Sequence, residues 1–359
     1  MECCSCSDLA DTIPSNSCNV RGECCSTPSP TVSPTPAPTR EPTPRPTSAP
    51  TTARPTHSPT SRPTRRPTTL SPTRDPRDVA YSELYTFART ITYAGHLRPY
   101  SAQYYALEWL VDDRVENGNI WTGYELIQRY VIAVFFFATR GKRGVNYPGL
   151  WNHDPLFFQS TPICSWGSPD LKCTGQDIYE IDISNRGLLG SIPSELRALT
   201  KLTRLLLNSN ELTGTLPTQL GEMTSLTLLH SKQNPLSGPI PTELGLLTDL
   251  TWLSLYGNQF SGQIPSELGH LTEMTYLAVT GNELTGTIPT ELAQATQLRR
   301  LFLGENDFVG PVPTELCSAP FVSSWAAFYA DCWYVGGTRK NPCDCCTHCC
   351  NIYGGCFPN

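Results

Sequence analysis

A 24-residue period runs through the second half of the chain without insertion or deletion. From Ile178 onward, the pattern L-x-x-L-x-L-x-x-N-x-L-x-G-x-I-P occurs six times. Its ninth position is held by Arg186, Asn210, Asn234, Asn258, Asn282 and Asn306. One such unit cannot bury its own apolar face, so the period predicts a stack of units that share one core. We therefore expect an α/β solenoid, whose long surface favours binding over catalysis in a pocket.

The positions within each repeat have separate expected roles. The leucines of the short strand point into the core, and the residues between them point outward. The Asn amide can satisfy backbone groups of the turn and join neighbouring repeats. The Pro opens a short helical turn on the convex side, whose leucines close the core: Leu196, Leu199, Leu244 and Leu247. Ser231 stands at a core strand position and predicts a local weakness there.

Composition divides the chain into six parts. They are a Cys-rich segment (1–26), a Pro/Thr/Arg spacer (27–77), a helical N-terminal cap (78–175), the repeats (176–316), a C-terminal cap strand (317–334) and a Cys-rich tail (335–359). The spacer carries eight Arg, two acidic residues and almost no large apolar side chain. It cannot bury enough surface to offset its ordering entropy, so we expect it to be disordered.

The segments that flank the repeats contain helix and strand signals. Ser101 is expected to cap one helix. Thr122 followed by Glu125 is a capping-box pattern, which predicts a second, buried helix that ends near Gly141. After the sixth repeat, the stretch around Val322 and Trp325 is in register with a seventh, degenerate strand.

The sixteen cysteines are clustered and even in number, which predicts disulfides and an oxidising compartment. We expect one disulfide between Cys164 and Cys173 and another between Cys317 and Cys332, each closing one end of the stack. The tail cluster around His348 is interpreted as disulfides, with a zinc site or interchain bridges as alternatives. No apolar leader follows Met1, so we expect that the chain start is incomplete.

Charge and motifs exclude several classes of function. The net charge is −6, and residues 178–315 carry fourteen acidic against seven basic residues, so we expect no nucleic-acid partner. No apolar run is long enough to span a membrane. The sequence has no nucleophile elbow, no H-E-x-x-H and no phosphate loop. We therefore predict a non-enzyme without catalytic residues, resident metal or cofactor.

The outward strand positions provide a candidate binding surface on the concave face. Its predicted members are Arg204, His230, Trp252, Tyr256, Tyr276, Arg300 and Phe302. Trp252 and Tyr276 are one repeat apart, so they should lie about 5 Å apart on neighbouring strands. Exposed Trp, Tyr and Arg dominate binding hot spots. The alternative is that these aromatic pairs only stabilise the sheet.

The repeat motif also resembles a known family. Residues 282–292, Asn-Glu-Leu-Thr-Gly-Thr-Ile-Pro-Thr-Glu-Leu, are similar to the plant-specific class of leucine-rich repeats found in receptor-kinase ectodomains and polygalacturonase-inhibiting proteins. The Cys-x-Trp element at Cys164 to Trp166 resembles the N-terminal cap of that class. The resemblance implies a six-repeat leucine-rich stack with a helical N-terminal cap and disulfide-closed ends. Since the kinase motifs H-R-D and D-F-G are missing, it does not imply kinase activity.

A narrower resemblance is to the extracellular leucine-rich-repeat proteins of diatoms. It rests on Ser101-Ala-Gln-Tyr-Tyr-Ala-Leu-Glu-Trp-Leu, Gln128-Arg-Tyr, Ala330-Asp-Cys and Cys343-Asp-Cys-Cys-Thr-His-Cys-Cys. It implies a recognition or adhesion module, extracellular or at the cell surface or cell wall, with a protein, peptide or cell-wall polysaccharide as partner. The alternatives are a structural matrix protein cross-linked through interchain disulfides, and a secreted inhibitor of the polygalacturonase-inhibitor type.

Overall fold

A computed structural model describes residues 75–93, 95–139, 159–318 and 327–331, together with four short strands nearer the end of the chain. The chain divides into two units, Met1–Thr68 and Thr69–Asn359, and every described residue belongs to the second. Residues 27–74 of the predicted spacer, the N-terminal cysteines and most of the tail lie outside the described residues, and so does Gly141. The predicted end of the spacer at residue 77 is wrong, because Asp75 caps the first helix and Pro76 begins it. Expectations that concern them stay predictions.

Three helices form the N-terminal cap: α1 (Pro76–Ile91), α2 (Ala102–Asn117) and α3 (Gly123–Ala138). The predicted cap of α2 is confirmed, since the backbone N–H of Tyr104 donates to Ser101 Oγ at 3.0 Å. The helix ends at Gly118, whose φ of 69° lies in the left-handed region that glycine adopts without strain.

The capping box predicted for α3 is wrong, although the helix begins where expected. Thr122 is the N-cap residue but makes no side-chain cap hydrogen bond. Glu125 instead accepts a hydrogen bond from the backbone N–H of Ile163 at 2.7 Å. The reason is tertiary: the carboxylate satisfies a donor of the segment that packs on the helix, which local sequence does not show.

A buried arginine joins α2, α3 and the segment that precedes the first strand. Arg129 is 0% exposed and ion-pairs with Asp113 at 3.2 Å. Its guanidinium carbon lies 4.1 Å from the ring centre of Trp121, 4.9 Å from that of Trp109 and 5.3 Å from that of Trp166. We call these five residues the arginine cage. It neutralises a buried cation by an ion pair and by contacts with aromatic rings.

The strands β1 (Leu171–Thr174) and β2 (Asp177–Asp182) form an antiparallel hairpin where the cap meets the stack. The predicted disulfide between Cys164 and Cys173 is confirmed, with the two Cα atoms 5.9 Å apart.

Gly190 in the first repeat lies so close to the end of α3 that a Cβ there would be 2.2 Å from the carbonyl oxygen of Ala138.

One strand per repeat builds the concave sheet. After β2 its strands are β4 (Arg204–Leu206), β6 (Leu228–His230), β8 (Trp252–Ser254), β10 (Tyr276–Ala278), β12 (Arg300–Phe302) and β14 (Ala327–Asp331). From β2 to β14 neighbouring strands pair in parallel. The leucines between the outward positions are fully buried: Leu205, Leu229, Leu253, Leu277 and Leu301. The predicted leucine-rich solenoid is thereby confirmed.

Shorter strands lie beside the concave sheet. β3 (Leu189–Gly190) pairs with β5 (Glu211–Leu212). A second sheet has the order β13-β11-β9-β7, with β7 at Ser237–Pro239, β9 at Gln259–Gly262, β11 at Glu283–Gly286 and β13 at Asp307–Phe308.

The prolines precede 3-10 turns on the convex side. These turns span Ser194–Ala198, Thr218–Glu222, Thr242–Leu246, Ser266–His270 and Thr290–Gln294, and the short helix α4 (Thr314–Ser318) follows in the sixth repeat. The four leucines predicted to close the core are each 0% exposed, which confirms that expectation.

The repeat asparagines link the coils through backbone groups. Asn258 Nδ2 donates to the carbonyls of Leu255 in its own repeat and of Ser231 in the preceding repeat, at 3.0 and 2.9 Å. Its Oδ1 accepts from the N–H of Leu236 at 3.3 Å. Because the same pattern recurs at Asn210, Asn234, Asn282 and Asn306, each repeat fixes the register of its neighbour.

The seventh strand is displaced from its predicted position. In β14, Ala327 pairs with Arg300, so the spacing is 27 residues and not 24. Val322 and Trp325, around which this strand was expected, lie outside the described residues. Three additional residues between the sixth repeat and the seventh strand shift the register, which a strict extension of the period does not show.

The tail adds strands to the concave sheet, which the sequence did not indicate. β15 (Tyr334–Val335) and β16 (Thr338–Arg339) form an antiparallel hairpin. β17 (His348–Cys350) then pairs in parallel with β14, and β18 (Cys356–Pro358) pairs antiparallel with β17. Cys317 is disulfide-bonded, while its expected partner Cys332 lies outside the described residues.

Candidate functional site

The outward positions of the concave sheet form two columns along the stack. The strand registers align one column as Glu180, Arg204, Leu228, Trp252, Tyr276 and Arg300. The second column, two residues further along each strand, contains Asp182, Leu206, His230, Ser254, Ala278 and Phe302. The exact period therefore turns a spacing in sequence into a line of side chains on one surface.

Aromatic side chains form a continuous line over the second half of this surface. The ring centres of Trp252 and Tyr276 are 4.0 Å apart, those of Tyr276 and Phe302 are 5.3 Å apart, and those of Phe302 and Tyr329 are 4.9 Å apart. The His230 ring meets Trp252 edge to face at 5.7 Å. We call these five residues the aromatic ladder. Tyr329 is a member that the sequence did not reveal, because it follows the 27-residue spacing.

The orientation of the rings determines what the aromatic ladder offers a ligand. Trp252 and Tyr276 are inclined by only 12° to each other, and Phe302 and Tyr329 by 18°. In each of these pairs the neighbouring ring therefore covers one face, while Nε1 at the edge of the Trp252 indole is itself buried. Aromatic edges carry partial positive charge and attract electron-rich atoms such as carbonyl oxygens.

Two small residues lie beside the aromatic ladder. Ser254 and Ala278 occupy outward positions, yet each is only 3% exposed because larger neighbours cover it. Tyr256, which follows β8, is 40% exposed and extends the aromatic surface sideways. The centre of the concave face is thus shallow and lined mostly by rings.

Charges differ between the two ends of the concave face. At the N-terminal end the buried Glu180 accepts ion pairs from Lys172 at 2.5 Å and Arg204 at 2.8 Å. Arg204, predicted to be a binding residue, is therefore occupied by an internal partner. Arg300 is exposed beside Tyr276, and no described carboxylate lies within ion-pair distance of it. The C-terminal half of the face thus presents a positive charge.

Three polar atoms on successive repeats are buried without a hydrogen-bond partner among the described residues: His230 Nε2, Trp252 Nε1 and Thr280 Oγ1. Burial, together with the nearby charges of Lys232 and Arg204, lowers the pKa of His230 to about 4. The imidazole is therefore neutral at pH 7. These atoms can exchange hydrogen bonds with a ligand that displaces the side chains covering them.

The structure brings five of the seven predicted site residues into one surface: His230, Trp252, Tyr276, Phe302 and, beside them, Arg300. Tyr256 borders that surface, whereas Arg204 is held by Glu180. The period places Glu180 beside Arg204 just as it places Trp252 beside Tyr276, but the ion pair between them was not predicted. Their role in binding stays a prediction.

Comparison with known proteins identifies the repeats. The family model described as Leucine Rich Repeat matches residues 201–223 and 249–271. None of the curated proteins compared with the chain matches it. The chain is therefore placed by its repeat pattern, its parallel sheet of one strand per repeat and this family match. These repeats are leucine-rich repeats.

Among solved structures, the chain is similar to plant receptor ectodomains. The Arabidopsis receptor kinase HAESA, solved in complex with the peptide hormone IDA and the co-receptor SERK1, is 28% identical, over 54% of this chain and 31% of that chain, with a TM-score of 0.46. The plant peptide hormone receptor RGFR1 in complex with RGF2 is 35% identical, over 40% and 22%, with a TM-score of 0.37. A chain of the BIR3–SERK2 complex from Arabidopsis thaliana is 32% identical, over 41% and 76%, with a TM-score of 0.36.

The chain spans between 22% and 31% of the length of the first four receptor chains that it matches. Within the described ranges, no helix is long and apolar enough to cross a membrane. The narrower resemblance to diatom proteins is tested by none of these comparisons and stays a prediction.

Proposed function

We propose that the protein is an extracellular recognition module that binds an extended peptide segment of a partner along the C-terminal half of its concave face. The observation that carries this proposal is the aromatic ladder, with Arg300 beside it. Two ladder atoms, His230 Nε2 and Trp252 Nε1, and the nearby Thr280 Oγ1 are buried without hydrogen-bond partners among the described residues. Rings and arginine at the centre of a surface are the residue types that dominate binding energy.

The geometry favours a peptide over a glycan. Sugars stack on exposed ring faces, but Trp252 and Tyr276 each cover one face of the other ring. A peptide offers backbone carbonyls to the ring edges and to the Trp252 indole N–H, and it can supply a carboxylate to Arg300. The polysaccharide partner, expected as an alternative from the sequence, is therefore kept as an outcome of the test.

The disulfide between Cys164 and Cys173 supports an extracellular location, because such bonds persist in oxidising compartments. The cell surface and the cell wall are both compatible with this proposal. An enzyme inhibitor differs from this proposal only in its target. A matrix protein cross-linked through its terminal cysteines would act through those cysteines and not through the concave face.

The test is a binding screen of the full chain against a library of synthetic peptides and an array of cell-wall glycans. We expect peptides to bind, and the strongest peptide to lose at least about 10-fold in affinity with Tyr256→Ala. Leu246→Ala is the matched control, since Leu246 is 60% exposed on the convex side. Binding to glycans alone, or equal losses with both variants, would overturn the proposal.

A further inference from the structure

A second concavity lies away from the aromatic ladder, between the cap and the first two repeats. It encloses about 880 Å³ and is lined by the α1–α2 loop, the end of α3 and the turns at residues 191–195 and 214–219. It shares no residue with the concave face. Glu195 lines it, with Tyr93, His96 and Gln103 nearby.

Glu195 differs from its equivalents in the other repeats. The same position of the repeat holds Glu243, Glu267, Glu291 and Glu315, which are half-buried or exposed. Glu195 is 1% exposed because the helical cap covers it. Its Oε1 accepts from Thr92 Oγ1 at 3.0 Å and from Gln103 Nε2 at 3.2 Å, while its Oε2 is buried without a partner.

The charge of this carboxylate is incompletely compensated. Its two hydrogen-bond donors are neutral, and the nearest described basic side chain is that of His96, which is 51% exposed and whose Nδ1 lies 4.0 Å from Oε1. Arg197 is directed elsewhere, to Glu222 at 2.9 Å and to the carbonyl of Ile91 at 3.0 Å. A buried carboxylate without a close cation is destabilising, so a cationic ligand there would recover interaction energy.

Aromatic groups border the opening. Tyr93 is 50% exposed, and its ring meets that of His96 edge to face at 6.0 Å. Its hydroxyl lies 3.5 Å from Gln219 Nε2. An aromatic ring attracts an organic cation to its face, and the Tyr93 ring already has the guanidinium carbon of Arg197 5.7 Å from its centre. An ammonium group at this rim would therefore contact the ring from its other side.

We propose that this cleft is a second binding site, which takes a primary ammonium group onto Oε2 of Glu195. An ammonium group fits better than a guanidinium group. A guanidinium fork needs both carboxylate oxygens, and Oε1 already accepts two hydrogen bonds. The ammonium group is carried either by a free amine or by a lysine side chain of a partner protein.

Calorimetric titration of the full chain with cadaverine, which reproduces the lysine side chain, tests the proposal. We expect cadaverine to bind at least about 10-fold more tightly than the diguanidinium compound in which guanidinium groups replace both of its amines. Glu195→Gln should weaken cadaverine at least about 10-fold, since it removes the charge but keeps the shape. Glu243→Gln, the equivalent change two repeats further on, should leave the affinity unchanged.

A second measurement covers the case in which Glu195→Gln fails to fold. In the wild type, saturating cadaverine should slow amide hydrogen exchange at residues 95–103 and 191–219. A lysine tripeptide with blocked ends, titrated in parallel, separates the two sources: tighter binding than cadaverine assigns the site to a protein lysine, and weaker binding to a free amine. No cadaverine binding, protection confined to other regions, or equal weakening by Glu195→Gln and Glu243→Gln would overturn the proposal.

Discussion

Trp252 and Tyr276 stack face to face across neighbouring strands, with their ring centres 4.0 Å apart and their planes inclined by 12°. The stack follows from the parallel pairing of β8 with β10, in which the two residues are direct partners. It stabilises the sheet and also arranges the ring edges that border the concave surface. The two interpretations of these aromatics, sheet stabilisation and binding, are therefore compatible.

The stacking of the Trp252 and Tyr276 rings should be measurable as an energetic coupling between the two residues. In a double-mutant cycle of Trp252→Ala and Tyr276→Ala, we expect a coupling of about 0.5–1.5 kcal/mol in the free energy of unfolding, measured by urea denaturation. Trp252→Ala and Tyr256→Ala should be additive, since Tyr256 follows β8 and lies four positions along the chain from Trp252, up to roughly 13 Å if the chain is extended. Equal coupling in both cycles would contradict the stacking.

Ser231 is the weak point of the core. It is 0% exposed at a strand position that Leu207 and Leu255 fill in the adjacent repeats, and its Oγ has no described partner. Ser231→Ala removes an unsatisfied hydroxyl, so we expect stability to rise by about 1 kcal/mol in thermal or urea unfolding. Ser237→Ala, at a half-buried position of β7, should change stability by less than about 0.5 kcal/mol. A loss of stability in Ser231→Ala would show that the hydroxyl is bonded.

The arginine cage should be the most sensitive polar cluster of the cap. Arg129→Met leaves Asp113, which is 4% exposed, without its cation, and we expect a loss of about 3 kcal/mol. Adding Asp113→Asn should recover part of this loss, because the uncompensated charge is removed. Arg114→Ala, which breaks a more exposed ion pair with Glu83, should cost less than about 1 kcal/mol. Urea unfolding followed by tryptophan fluorescence reports all three.

His230 should make stability depend on pH in an identifiable window. Its pKa is about 4 in the folded protein and 6.5 when unperturbed, so below pH 6.5 the unfolded state binds more protons. Stability should therefore fall as pH decreases from about 6.5 to about 4, with no further loss from this group below that. Lys232 and Arg204 oppose the protonation, and Asp182 favours it.

The check is an NMR titration of the His230 ring protons combined with unfolding at each pH. His230→Gln should remove this part of the pH dependence while other groups titrate as before. An His230 pKa near 6.5 in the folded protein would show that the ring is solvated and not held against Trp252.

The repeat period was sufficient to predict the solenoid, its core leucines and the alignment of Trp252 with Tyr276, because one unbroken period determines one register. Features that depend on contacts outside the repeat period could not be predicted from the sequence. Glu125 caps no helix because it accepts a hydrogen bond from Ile163. Tyr329 joins the aromatic ladder only through a spacing of 27 residues between paired strands.

The candidate site was likewise predictable in part from the sequence and in part only from the structure. Composition identified the aromatic and basic residue types on the concave face, and the register placed them together. Two features depend on side-chain packing between segments distant in sequence. They are the ion pair between Arg204 and Glu180 and the burial of Glu195 under the cap. No local pattern encodes these contacts.

The most direct test of the account compares two adjacent arginines. Arg300 is exposed on the concave face beside Tyr276, whereas Arg299 is half-buried and bonds to the carbonyl of Leu298 at 3.1 Å. The dissociation constant of the strongest peptide from the library is measured for Arg300→Ala and Arg299→Ala in the full chain. We predict at least about 10-fold weaker binding for Arg300→Ala and no change for Arg299→Ala. Unchanged affinity in Arg300→Ala would contradict the assignment of the concave face as the binding surface.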